Sequence, residues 1–333
     1  MSRFSAAILG CAGARLTEDE RRFFGRANPF GFILFSRNCE TAEQVRALTA
    51  ELRDAVGRGA PIFIDQEGGR VQRLRPPLAT DWRPPLDDAT DAGDRAAEAL
   101  SLRYAIIAAE LRALGIDGNC APALDVARAE THPFLRNRLL GTDPDTVARL
   151  GRAVAEAHLA GGVLPVIKHI PGHGRGTADS HLHLPRTDAG TDALDSDFAP
   201  FAALSDLPLG MTAHMVFEAY DAQAATVSST MIGLIRDRIG FGGLLMTDDI
   251  SMQALSGDVA SRGRAALDAG CDAVLHCNGD ADEMRAVIDV AGPMTDAGQA
   301  RAEAALTARR PAPPVDIAAL RAKLDALLPA SVP

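Results

Sequence analysis

Aromatic residues with a polar edge are almost missing from this 333-residue chain, whose only tryptophan is Trp82 and whose only tyrosines are Tyr104 and Tyr220. A long cleft that stacks its ligand on successive rings is therefore excluded, and a small pocket is expected. No uninterrupted apolar run approaches the roughly 18 residues of a membrane span. Positive charge is also short, since 34 Lys and Arg face 44 Asp and Glu for a formal net charge of −10. A surface that tracks phosphates needs clustered cations, so no nucleic-acid or membrane partner is expected, and a small molecule or another protein is.

The cysteines are five, Cys11, Cys39, Cys120, Cys271 and Cys277, scattered and without a C-x-x-C pair. They read as reduced, mostly buried thiols rather than as disulfides or a zinc ribbon. Ile8-Leu9-Gly10-Cys11 has the outward form of a lipoprotein cleavage site, but the apolar stretch from Phe4 to Leu9 is short and only Arg3 precedes it. It reads as a buried strand, and the expected compartment is the cytosol.

Against these absences stands a hydrophobic content of 47 %, enough for a large core. Short apolar runs recur eight times, at Ser5 to Leu9, Gly31 to Phe35, Pro61 to Asp65, Ile116 to Ala121, Val163 to His169, Leu209 to His214, Gly243 to Asp248 and Asp272 to Cys277. Amphipathic patterns separate them, most clearly at Thr41 to Val56, Ala97 to Leu114, Asp145 to Leu159 behind Thr142-Asp143-Pro144, and Ser228 to Ile239. Parallel strands need right-handed crossovers, so eight such repeats close most naturally into a single-domain (β/α)8 TIM barrel, with a doubly wound open sheet as the alternative. The Pro-rich stretch from Arg75 to Leu86 and the stretch from Gly172 to Asp188 read as long loops, which in a compact domain usually carry function. Residues 1–298 are expected to form the catalytic barrel. Residues 299–333 read as a helical tail packed on it, broken at Pro311, Pro313 and Pro314 before a last helix from Ile317 to Leu328.

Side chains at the C-terminal ends of barrel strands converge on one mouth. Those ends carry Ser36-Arg37-Asn38, Asp65-Gln66-Glu67-Gly68-Gly69-Arg70, Asp125, Lys168-His169, His214, Thr247-Asp248-Asp249, and His276 with Asn278. Any one acid there is as readily a helix cap or turn former, but the convergence points to chemistry. In Asp248-Asp249 one residue can catalyse while the other caps. The stretch from Lys168 to His183 holds four of the eight histidines, His169, His173, His181 and His183. With Asp179 these are competent metal ligands, although Pro171-Gly172 keeps His169 and His173 off a shared helix face and no H-E-x-x-H is present. The other reading makes one histidine a general acid/base, with Asp179 fixing the tautomer of His181 two residues on.

The motifs Asp65-Gln66-Glu67-Gly68-Gly69-Arg70-Val71-Gln72-Arg73, Lys168-His169-Ile170-Pro171-Gly172-His173-Gly174, Asp179-Ser180-His181 and Thr247-Asp248-Asp249-Ile250-Ser251-Met252 resemble, in order and separation, glycoside hydrolase family 3. They look most like its single-domain bacterial β-N-acetylglucosaminidases. The resemblance implies a retaining exo-β-N-acetylhexosaminidase that removes non-reducing β-linked N-acetylglucosamine through a covalent glycosyl-enzyme. By motif, Asp248 matches the nucleophile, while His181, partnered by Asp179, matches the acid/base; a histidine in this role departs from the usual carboxylate pair. Asp65 matches the acid that binds sugar hydroxyls, and Arg73, Lys168 and His169 match its basic companions. Arg138, in Asn137-Arg138-Leu139-Leu140-Gly141, is similar to a family arginine normally followed by Ser-Phe; Leu-Leu stands in that place here. His214 and Met252 are expected to line the pocket.

The resemblance implies no metal or organic cofactor. Its small-molecule substrate would be a cell-wall fragment, N-acetylglucosaminyl-1,6-anhydro-N-acetylmuramic acid with or without peptide, met in the cytosol during peptidoglycan recycling. Three alternatives remain at this level: a metal-dependent hydrolase using the histidine-rich loop, a phosphorylase built on the same site, and a sugar-binding protein without turnover. Chitin-chain processing is not expected with so few rings.

Overall fold

A computed structural model describes residues 3–177 and 183–328. Asp179 and His181 lie outside the described residues. Eight parallel strands form a closed barrel: Ser5–Gly10, Pro29–Leu34, Ile62–Ile64, Gly118–Asn119, Leu164–Ile170, Leu209–Thr212, Leu244–Asp249 and Ala273–His276. Each pairs with its neighbours in chain order. The first also pairs with the eighth, Ile8 opposite Leu275 and Leu9 opposite His276, which closes the cylinder and removes the open-sheet alternative. All eight coincide with the apolar runs, because parallel strands covered by helices are buried on both faces. The fourth is the shortest, only Gly118–Asn119 of the run from Ile116 to Ala121 holding ladder geometry.

The crossover helices start where polar caps stand. Thr41 accepts from the amide of Gln44 ahead of helix Ala42–Val56, Asp143 from Thr146 ahead of Pro144–Ala160, and Ser228 from Met231 ahead of Ser229–Asp237. Thr17 and Glu20 form a reciprocal capping box on Glu18–Ala27, a signal legible in Thr17-Glu18-Asp19-Glu20. Two loop expectations need correction. The Pro-rich stretch ends two residues early, because Pro85 opens helix Pro85–Ala92; proline suits a first helical position, where no amide donor is needed. Within the stretch from Gly172 to Asp188, Arg186–Thr187 pairs with Val216–Phe217.

Beyond the barrel strands, helix Asp296–Ala308 runs under the barrel, and helix Ile317–Asp325 packs on helix Ala96–Ala113. The last helix stops at Asp325, short of Leu328. All five cysteines are free, Cys39 half-buried and the others buried. Among the described residues no helix is long and apolar enough to cross a membrane.

Candidate active site

The third strand ends at Ile64, and the chain then folds into a hairpin, Gln66–Gly68 against Val71–Gln72, that carries Asp65 and Glu67 over the barrel mouth. Asn119 of the neighbouring strand positions it. Its side-chain oxygen accepts from the Gln66 amide at 2.9 Å, and its side-chain nitrogen donates to the Gln66 carbonyl at 3.1 Å. The Gln66 side chain in turn accepts from the amides of Arg73 and Leu74, both at 3.0 Å. Gly68 has φ +102°, and a Cβ there would lie 1.9 Å from Nη2 of Arg103. Only glycine admits that fully buried arginine, which donates to the Glu67 and Arg83 carbonyls, each at 2.8 Å.

At the mouth lies a cavity of about 310 Å³, and Asp65, Arg73, Arg138, Lys168, His169, Asp248 and Met252 all line it. They come from four stretches of chain far apart in sequence. Lys168 Nζ, on a side chain that is 2 % exposed, lies 3.0 Å from Asp65 and 2.5 Å from Glu67. Arg73 pairs with Asp65 at 3.0 Å, and Arg138 grips Glu67 through both carboxylate oxygens at 2.8 and 2.9 Å. Burial alone would raise the Asp65 carboxyl, yet Lys168 and Arg73 hold it well below the usual carboxylate range. Glu67 is likewise pushed up by burial and pulled down further by Arg138 and Lys168, to about 2. Lys168 stays charged because these carboxylates outweigh its own desolvation.

His169 presents its Nδ1 to Asp125 at 2.8 Å, and Asp125, fully buried, also accepts from the His173 amide at 2.6 Å. In the sequence Glu67 stands only as a member of a motif and Asp125 only as an acid beyond a strand end. Neither lines the cavity, and their distant partners are not spelled by local spacing. His173, which does line it, lies 5.8 Å from the His169 ring; burial holds its imidazole at about 4 and therefore neutral at pH 7.

The two adjacent acids separate cleanly. Asp249 is engaged on both oxygens, by the Ser251 amide and hydroxyl at 2.9 and 2.7 Å and by the Cys277 amide at 3.2 Å, as a turn-forming carboxylate should be. Asp248 accepts one hydrogen bond among the described residues, from the Asp249 amide at 2.8 Å, and keeps its other oxygen for the cavity. Burial would raise it, but His214, His169, that amide and Lys168 together hold it below its ordinary value, so it is ionised at neutral pH. An ionised carboxylate with an uncommitted oxygen, facing a hydrogen-bonding wall, can act as a nucleophile or stabilise a developing cation.

His214 is the residue that departs from expectation. It is fully buried and does not line the cavity. Its Nε2 donates to the Asp249 carbonyl at 3.0 Å, and its Nδ1 lies 2.8 Å from the Thr226 hydroxyl oxygen. It therefore supports the Asp248-Asp249 turn from behind.

Residues 9–307 match the Glycosyl hydrolase family 3 N terminal domain. A β-hexosaminidase from Alkalilimnicola ehrlichii is 39 % identical over 279 residues, which are 81 % of this chain and 80 % of that protein. Among solved structures, NagZ from Neisseria gonorrhoeae in complex with N-trifluoroacetyl-D-glucosamine is similar with a TM-score of 0.85 at 30 % identity, covering 98 % of each chain. A family 3 β-N-acetylglucosaminidase from a Paenibacillus species gives a TM-score of 0.83 at 30 % identity, over 98 % of this chain and 63 % of its own. A family match over nearly the whole barrel, on a closed fold that brings the Asp65–Arg73, Lys168–Gly174 and Thr247–Met252 motifs to one cavity, means that this chain belongs to glycosyl hydrolase family 3.

Proposed function

We propose that this protein is a retaining exo-β-N-acetylhexosaminidase that removes non-reducing terminal β-linked N-acetylglucosamine. The observation that carries the reading is the ionised, singly hydrogen-bonded Asp248 in the cavity that also holds the Asp65, Arg73, Lys168, Arg138 and His169 wall. The names of the relatives support the same sugar. A cavity of about 310 Å³ suits one terminal sugar rather than a chain.

In this reading an Asp248 oxygen attacks the anomeric carbon as the glycosidic C–O bond breaks. His181, oriented by Asp179, protonates the departing oxygen and then takes a proton from the water that releases the sugar from Asp248; these two residues enter by their motif. Asp65, Arg73, Lys168, Arg138 and His169 bind the sugar hydroxyls, with Met252 against the ring. The proposed physiological substrate is N-acetylglucosaminyl-1,6-anhydro-N-acetylmuramic acid, with or without peptide, in the cytosol. Water is the proposed acceptor.

The test is hydrolysis of a chromogenic β-N-acetylglucosaminide, with the β-glucoside as comparison, by wild type and Asp248→Asn at neutral pH. Expected is turnover of the acetamido sugar with release of the β-anomer, and a loss of about a thousandfold or more in the variant. A folded wild type that hydrolyses neither glycoside sinks the proposal, and release of the α-anomer sinks the retaining mechanism.

A further inference from the structure

Glu67 is the anion at the centre of the cavity's cationic wall, yet it does not line the cavity. Its side chain is 2 % exposed and bonds both Arg138 and Lys168, the two buried cations that do line it. With Asp65 the charges alternate from Arg138 to Glu67 to Lys168 to Asp65 to Arg73, each link at 3.0 Å or less. The backbone of Glu67 is held as firmly. Its carbonyl accepts from Arg103 at 2.8 Å and from the Tyr104 hydroxyl at 3.0 Å, both residues buried, and Arg103 is itself paired with Asp88 at 2.5 Å.

A carboxylate fixed from both ends dictates where its partners sit. Without it, Lys168 and Arg138 would repel one another, and both would turn to Asp65, which already serves Lys168 and Arg73. An Asp65 crowded by cations has fewer acceptor sites left for ligand hydroxyls. We infer that Glu67 is a positioning residue for ligand binding: it draws Lys168 and Arg138 to the cavity wall in one geometry and keeps Asp65 available as an acceptor. The inference deepens the proposed hexosaminidase reading and rests on it.

Glu67→Gln keeps size and one acceptor oxygen while removing the charge, and Glu67→Asp keeps the charge on a shorter arm. Each is compared with wild type for KM and kcat on the chromogenic acetamido glycoside and for inhibition by free N-acetylglucosamine, at a temperature where circular dichroism shows it folded. Charge-assisted hydrogen bonds set the scale: KM and the inhibition constant should rise together by about 10- to 100-fold in Glu67→Gln, more than kcat falls, with partial recovery in Glu67→Asp. Wild-type KM and inhibition constant in Glu67→Gln, whatever its melting temperature, overturn the inference and leave the hexosaminidase reading standing. Weaker binding by Glu67→Asp than by Glu67→Gln also overturns it, because length rather than charge would then decide. A wild type that neither binds nor hydrolyses the amino sugar overturns both.

Discussion

His158 declares its protonation state through its neighbours. It is fully buried, with Nδ1 2.9 Å from the Val154 carbonyl and Nε2 2.9 Å from the side-chain nitrogen of Asn119. A carbonyl only accepts, so Nδ1 carries the proton. The oxygen of Asn119 is committed to the Gln66 amide, so its nitrogen donates and Nε2 keeps its lone pair. Burial accordingly holds the imidazole at about 4 against an ordinary 6.5. The unfolded chain binds this proton more readily, so the contribution to stability is complete above about pH 6.5 and declines as the pH falls towards 4. His158→Gln should lower stability at pH 7. It should also flatten the pH dependence between 6.5 and 4 by about 1.4 kcal/mol per pH unit, measured by urea unfolding at several pH values. An unchanged slope would refute the neutral tautomer. The consequence reaches the active site, because the same Asn119 that satisfies His158 holds the hairpin bearing Asp65 and Glu67.

At the level of elements, the tail is tied to the barrel end opposite the cavity by two buried acids placed just before strands. Asp117 precedes Gly118–Asn119, accepts from the Ile62 amide at 2.8 Å, and pairs with Arg53 at 3.0 Å and Arg309 at 2.5 Å. Asp272 precedes Ala273–His276, accepts from the Leu245 amide at 2.9 Å, and pairs with Arg236 at 2.6 Å and Arg301 at 2.8 Å. Each acid thus staples two neighbouring strands to this region, Asp272 through the middle of helix Asp296–Ala308 and Asp117 through Arg309 at its C-cap. Asp117→Ala strands two partly buried guanidinium groups and an amide, so it should cost about 3–5 kcal/mol of unfolding free energy. Its KM should stay close to wild type while folded, since the cavity lies at the other end. A melting temperature equal to wild type would contradict the stapling role. Composition and loop signals marked the tail as helical, but the two acids that receive it look in sequence like ordinary residues ahead of a strand.

For the whole molecule, acid should act in two stages. His158 and His173, both held at about 4, lower stability as the pH drops below 6.5. Glu67, held at about 2 by Arg138 and Lys168 against its burial, contributes stability that is complete above about pH 4.5 and is lost as the pH falls towards 2. Asp65 and Asp125, also depressed by their partners, act in the same sense. Melting temperature plotted against pH should therefore decline gently from 6.5 and steeply below about 4.5. A flat curve between 6.5 and 4.5 would argue that the two histidines are not buried neutral.

Much of this architecture was legible in the chain alone. Eight apolar runs and the cap candidates Thr41 and Thr142-Asp143-Pro144 were enough for the barrel, because burial on both strand faces and helix capping are local demands written in local sequence, and the family motifs were enough for Asp65, Arg73, Lys168, His169 and Asp248, which line the cavity at its mouth. Adjacent residues of one chemical type were not resolved by spacing. The family motif marks Asp248 rather than Asp249, and the folded chain supplies the physical difference, with one oxygen of Asp248 uncommitted and Asp249 bound into a turn; only the folded chain sends His214 behind that turn instead of into the cavity. The same holds for Glu67 and Asp125, whose importance lies in cations and amides contributed by strands and loops 44 to 101 residues away. The sequence by itself determined the barrel and marked Asp65, Arg73, Arg138, Lys168, His169, Asp248 and Met252, which all line the cavity at its mouth; the tertiary structure decided which carboxylates are neutralised by partners and which is left open, since charge pairing across a barrel depends on distances that close only when the eighth strand meets the first.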